Sequence, residues 1–228
     1  VEQGFVSNRT AHVTGGGSRK RTVVHITLNG RTKVESFELE PLSRTGKGYG
    51  PIPDFTKLFG RDEIVQDLLE LIINGENIFL SGLPGIGKTS LASGVVDEIL
   101  HKGWNVRWAT CYSNTDVYDI SKQWLGGNPP RDRLAFISQL DKNKTLLVID
   151  EIQEVHDRHI SNLKDLLFGL KAVKASILVI IRSPNPFSVV EGYSDFRLSG
   201  ISEKDGRSLL PEYVTEEKAD QIVKSLGG

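Results

Sequence analysis

LSGLPGIGKTS, residues Leu80–Ser90, sets three glycines, a proline, a lysine and a threonine directly behind a short apolar run. It fits the spacing G-x-x-x-x-G-K-[ST] at Gly82, Gly87, Lys88 and Thr89, with strand-like residues before it and a helical pattern after it. Glycines leave room for successive backbone N–H groups to turn inward around phosphate oxygens, where a Cβ would stand in the way. The helix that follows adds the partial positive charge of its N-terminus. Gly82, Pro84, Gly85, Ile86, Gly87, Lys88, Thr89 and Ser90 are therefore candidate binders of a polyphosphate. Lys88 would reach its β- and γ-phosphates, and Thr89 would give its hydroxyl to Mg²⁺.

Two further stretches complete the chemistry. In TLLVIDEIQ (145–153) an apolar strand ends in Asp150, which would hold the metal from a strand beside the loop. Glu151 is then placed to orient or deprotonate an attacking water. SILVIIRSP (176–184) ends another apolar run in Arg182, a cation suited to reading a γ-phosphate and stabilising transition-state charge. Lys88, Glu151 and Arg182 are the candidate catalytic residues, and Thr89 and Asp150 the candidate metal ligands. No Asn-Lys-x-Asp guanine-reading pattern occurs, which favours adenine.

Working outward, the runs NIFLS, NVRWAT, TLLVID, SILVII and DFRLS are separated by segments of helical length. Continuous apolar strands alternating with helices predict an α/β domain, a parallel sheet covered on both faces. GRDEIVQDLLELIINGE (60–76) places Ile64, Leu68, Leu71 and Ile72 on one helical face, and HISNLKDLLFGLKAV (159–173) does the same with Ile160, Leu163, Leu167 and Leu170. Ser202 and Thr215 are expected N-caps of helices beyond Leu198. The first fifty residues read differently. TVVHITLNGRTKVESFELE (22–40) alternates on both sides of Asn29-Gly30, a hairpin signal. PLSRTGKGYGPIPDF (41–55) has the glycine and proline density of a linker.

LFGRDEIVQDLLELI, LSGLPGIGKTS, VRWATCYSN, LLVIDEIQ and ILVIIRSP occur in an order and spacing that resembles the STAND-class P-loop NTPases, AAA+-related proteins of NB-ARC and archaeal-ATPase type. The resemblance covers 59–228. It implies ATP or ADP with Mg²⁺, a sheet of strand order 5-1-4-3-2, and Asp150 and Arg182 on strands flanking the P-loop strand. Phe59, Gly60 and Arg61 match the segment that lies near the adenine, and Arg182 matches the phosphate-sensing arginine. Trp108 matches a packing aromatic. The expected organisation is a β-hairpin appendage (1–45), a linker (46–58), the nucleotide-binding domain (59–200) and the start of a helical lid (201–228). The family's lid proline and winged-helix domain would lie beyond Gly228, and a start at Val1 without any methionine reads as a piece of a longer chain.

Composition narrows the partners. The 228 residues carry a net charge of −1, with 38% hydrophobic and 25% charged residues, so no global nucleic-acid footprint exists. Residues 1–35 hold six basic side chains against two acidic ones, a balance of +4 that leaves −5 for the remainder. That arm is the sole support for an AAA+-type ATPase acting on nucleic acid, the alternative to a signalling switch in which ATP replaces ADP and drives self-association. A non-hydrolysing scaffold is the third reading, and Glu151 argues against it. Cys111, the single cysteine, follows a strand and reads as a buried, inert thiol in a reducing, cytoplasmic compartment. No apolar run is long enough to span a membrane.

Overall fold

The computed structural model describes residues 6–12, 20–27, 44–55, 58, 60–140, 144–200, 218 and 221. The chain divides into two compact units, Val1–Ser43 and Arg44–Gly228. In the first, β1 (Val6–His12) pairs antiparallel with β2 (Lys20–Ile26), in a register running from Val6↔Ile26 to His12↔Lys20. The expected hairpin about Asn29-Gly30 thus has its first arm overlapping β2, but that strand's described partner lies upstream. The second arm, 31–40, falls outside the described residues.

The second unit is built on a six-stranded sheet in the order β3 (Gly48–Tyr49), β5 (Asn105–Thr110), β6 (Thr145–Asp150), β7 (Ser176–Arg182), β4 (Asn77–Gly82), β8 (Ser194–Arg197). All its pairings are parallel. Read from β8 to β5 this is the implied 5-1-4-3-2 order, with β3 added beyond it. One placement differs from expectation. β7 and β8 flank the P-loop strand β4, so Arg182 is on a neighbouring strand but Asp150 is one strand further away.

Successive residues of a strand point to opposite faces, and the core follows that alternation. Ile78, Leu80, Leu146, Val148, Leu178 and Ile180 pack beneath α1 (Asp62–Ile73) and α2 (Lys88–His101). Phe79, Leu147, Ile149, Ile177, Val179 and Ile181 face α3 (Val117–Leu125), α4 (Arg133–Ser138) and α5 (Asp157–Leu170). Both faces being covered, the central strands are apolar along most of their length. In α1 the expected face is joined by Leu69, and in α5 by Leu166, because each buried stripe is wider than a single i, i+3, i+4 row. Trp108 is fully buried in β5, as a packing aromatic should be. Among the described residues no helix is long and apolar enough to cross a membrane.

The stretch expected to be a linker is docked along the sheet edge. The Gly46 N–H donates to the Leu100 carbonyl (2.9 Å), the Val106 N–H donates to the Lys47 carbonyl (2.9 Å), and β3 pairs with β5. Its glycines serve close approach: a Cβ at Gly46 would stand 1.8 Å from the Trp104 carbonyl oxygen, and one at Gly50 1.9 Å from that of Trp108. Gly50 also has φ +85, which a side chain disfavours. Gly50→Ala is expected to destabilise the domain by roughly 2–3 kcal/mol, combining the backbone penalty with the clash. Chemical denaturation measures this, and an unchanged midpoint would show that the edge is detached in solution.

Candidate functional site

β4 ends at Gly82, and the chain turns through Leu83–Gly87 into α2. The turn requires glycine at two positions. Gly85 and Gly87 have φ +76 and +94, and a Cβ on either would meet nothing within 4 Å, so their constraint is the backbone conformation around open space. Gly87 is the left-handed N-cap of α2 and has no side chain to cap it, which leaves the helix's first N–H groups available to a ligand. Gly82 is buried beneath Leu198, whose carbonyl oxygen would be 2.8 Å from an added Cβ. Pro84, Gly85 and Ser90 are exposed, and Ile86, Gly87 and Thr89 half-buried.

Lys88 is almost fully buried inside this curve. Its Nζ donates to the carbonyls of Gly82 (3.1 Å) and Leu83 (2.9 Å), closing the cradle on itself. Burial pulls the ammonium below its ordinary pKa; Glu151 opposes that, Arg182 reinforces it and Asp150 opposes it. All three charges are therefore within electrostatic reach of Lys88.

The Thr89 hydroxyl donates toward both oxygens of Asp150, at 3.3 and 3.2 Å, and the Glu151 N–H donates to Asp150 Oδ1 at 2.9 Å. The two expected metal ligands thus touch each other, Thr89 from the first turn of α2 and Asp150 from the end of β6. Burial, and next the charge of Glu151, push the Asp150 carboxyl up to about 6; the hydrogen bonds from Thr89 and Glu151 and the charge of Lys88 work against that rise. A carboxylate pushed up in this way gains from a bound cation. The hard oxygen pair of Thr89 and Asp150, beside an open nest of amides, suits Mg²⁺ that keeps waters and phosphate oxygens as its remaining ligands. Among the described residues no group of three or more His, Cys, Asp or Glu forms a separate metal cage.

A carboxyl whose folded pKa exceeds its unfolded value binds more protons folded than unfolded. Its contribution to stability therefore falls as pH rises from the unfolded value of 3.8 through about 6. Asp150→Asn removes the ionisation and keeps an acceptor for Thr89. It is expected to stabilise the nucleotide-free protein by on the order of 2 kcal/mol at neutral pH and by nothing near pH 4. Thermal melts at both pH values check this; a loss of stability at pH 7 would mean that the carboxylate is better compensated than its burial indicates.

Glu151 has φ 55, in the left-handed region, and opens the 3₁₀ turn Ile152–Glu154. Its Oε2 accepts from Arg182 Nη2 at 3.1 Å and from the Gln153 amide. Arg182 Nη1 pairs with Glu154 Oε1 at 3.1 Å, and the Arg182 N–H donates to Gln153 Oε1 at 3.1 Å. The candidate base and the candidate sensor are thus bound to one another, with Gln153 and Glu154 completing the cluster. Sequence reading gave no role to Gln153 or Glu154. The acids of D-E-I-Q-E at 151 and 154 are the available signal, but their convergence on Arg182 depends on the left-handed backbone at Glu151 and the turn that follows it.

Arg61 is buried just ahead of α1. Its Nη2 donates to the carbonyls of Ile86 (3.1 Å) and Ser199 (3.2 Å), tying the loop to the end of β8. Nη1 is buried without a partner among the described residues, and burial lowers the guanidinium's pKa. Gly60 precedes it with φ 63, and Phe59 lies outside the described residues, as do Ser202 and Thr215. Lys218 and Gln221 are helical, within the expected lid. Cys111 is buried; burial, and then the charge of Asp150, push its thiol up to about 12, which keeps it protonated and inert.

The model of the ATPase family associated with various cellular activities (AAA) matches residues 78–193, just over half of the chain. The chaperone protein ClpB of Malacoplasma penetrans is 25% identical over 186 residues, covering 75% of this chain and 25% of its own length. A Signal Transduction ATPase with Numerous Domains (STAND) protein with a tetratricopeptide repeat sensor, from Pyrococcus horikoshii, is similar in structure (TM-score 0.53, 18% identity, 82% of this chain, 30% of its own). The Walker-type ATPase of Pyrococcus abyssi is similar to the same degree (TM-score 0.54, 14% identity, 76% of this chain, 66% of its own). The chain spans between a quarter and a third of the ClpB and STAND proteins, and the two structures support the fold alone.

Proposed function

The chain belongs to the ATPase family associated with various cellular activities, and from that membership we propose that it is the nucleotide-binding domain of a signalling switch of STAND type, cycling between ATP and ADP by slow hydrolysis. The observation that carries this reading is the Arg182–Glu151 pair at 3.1 Å. A carboxylate paired with a cation is a weaker base, and its release on rearrangement of the site would raise its reactivity, which suits a switch better than a rapid motor.

Each residue then has one task. Backbone N–H groups between Gly82 and Ser90, Pro84 excepted, line the phosphate chain, and Lys88 turns from the Gly82 and Leu83 carbonyls to the β- and γ-phosphates. Thr89 and Asp150 hold Mg²⁺, which when bound neutralises charge on the phosphate oxygens. Glu151, once released, accepts the proton of the attacking water. Arg182 reads the terminal phosphate, and Phe59, Gly60 and Arg61 lie toward the adenine. The rearrangement would be transmitted to the lid (201–228) and to other domains of a longer, cytoplasmic protein, favouring self-association. The domain boundaries at 59 and 200 belong to this reading, with 1–45 as the attached module.

Identifying the nucleotide that co-purifies, by denaturing release and chromatography, tests the reading. Near-stoichiometric ADP with weak turnover, unaltered by DNA, is expected. Strong stimulation by DNA would instead favour an ATPase acting on nucleic acid.

A further inference from the structure

Arg182 is engaged at both ends of its guanidinium, by Glu151 through Nη2 and by Glu154 through Nη1, each at 3.1 Å. Only Glu151 has a task in the chemistry. Glu154 needs another explanation, and we propose that it sets the discrimination between nucleoside triphosphate and diphosphate by competing with the terminal phosphate for Arg182. This inference rests on the nucleotide reading above and names how that same site is regulated.

The placement supports it. Arg182 is the register partner of Gly82 across β7 and β4, and the next residue's N–H donates to the Gly82 carbonyl at 3.1 Å. The guanidinium therefore leaves the sheet beside the start of the phosphate cradle, where Lys88 senses its charge. Glu151 and Glu154 bracket the 3₁₀ turn, the Glu154 N–H donating to the Glu151 carbonyl at 2.9 Å, and the hydrogen bond from the Arg182 N–H to Gln153 Oε1 fixes the strand end against that turn. The planar fork offers paired donors to a phosphate or to carboxylates. A terminal phosphate that draws on the same Nη groups competes with both acids for them.

Displacement has two consequences. Glu151 is freed at the moment a third phosphate is present, so base activation is coupled to the triphosphate. Glu154 has no later role, so its charge acts only as a counterweight to triphosphate binding. A diphosphate presents no group at that position and leaves the three side chains as they are.

The test is titration calorimetry of the whole chain with Mg-ATPγS and with Mg-ADP. The paired side chains are 43%, 35% and 45% exposed for Arg182, Glu151 and Glu154, so the effect is modest. Glu154→Gln, an uncharged isostere, should tighten ATPγS about threefold and leave ADP unchanged. The gain should shrink at roughly 0.5 M salt, where such pairs are screened. In an Arg182→Ala background it should vanish, because the competitor and its target are a coupled pair. Glu154→Ala should shift the ratio the same way.

An unshifted ratio, an equal change for both nucleotides, or a gain that survives Arg182→Ala would overturn the inference while leaving nucleotide binding intact. A native chain that binds neither nucleotide would overturn the nucleotide reading itself, and this inference with it.

Discussion

Glu151→Gln is expected to lower ATP turnover by about 10²–10³-fold while leaving Mg-ATP affinity within a few-fold of the unsubstituted protein. The carboxylate lies beside Asp150 at the end of β6, and its N–H donates to Asp150 Oδ1 at 2.9 Å, so the backbone that positions it is anchored independently of its side chain. The amide variant keeps the shape and can still meet Gln153, but it cannot accept a proton from water. It also loses the ionic half of the contact with Arg182, which leaves the guanidinium freer for a terminal phosphate. Binding should therefore be preserved or slightly improved as hydrolysis disappears. Single-turnover assays paired with equilibrium titration separate the two quantities. Hydrolysis that persists in this variant would move the base to another residue; Glu154, three residues on in the same 3₁₀ turn, would be the first to examine.

Much of this site could be read from residue types and spacing. Gly82, Gly87, Lys88 and Thr89 sit behind an apolar strand because a strand-to-helix turn is what aims amides at a phosphate, and that geometry has few sequence solutions. Four of the five apolar runs became the inner strands β4 to β7 because burial on both faces demands nearly unbroken hydrophobicity, and the fifth overlaps the exposed edge strand β8. Their spatial order came from family resemblance, since periodicity says nothing about which strand lies next to which; it also carried the misplacement of Asp150 beside β4.

Other features needed coordinates. Gly46 and Gly50 look the same in sequence whether they give freedom to a linker or let two backbones touch, and here they do the latter. Glu151 and Arg182 are 31 residues apart, and no local pattern indicates that they pair. Arg61 was assigned from its match to the family, but its reach to both Ile86 and Ser199 depends on where β8 ends.

A triphosphate with Mg²⁺ is proposed to occupy the cradle that Lys88 closes. In the structure this ammonium is buried, donates to two carbonyls of its own loop, and lies within reach of Asp150, Glu151 and Arg182. Its desolvation has already been met on folding, so transfer to phosphate oxygens exchanges neutral acceptors for charged ones, which form the stronger hydrogen bonds. Lys88→Ala deletes that exchange and leaves the glycine turn, Thr89 and Asp150 in place. The affinity for Mg-ATP should fall by about 100-fold, close to 3 kcal/mol, with the fold retained. Titration of Mg-ATP into the native and Lys88→Ala chains, with a melting curve for each, is the most direct measurement: a large loss of affinity in a folded variant is expected, and equal affinity in the two proteins would contradict the account.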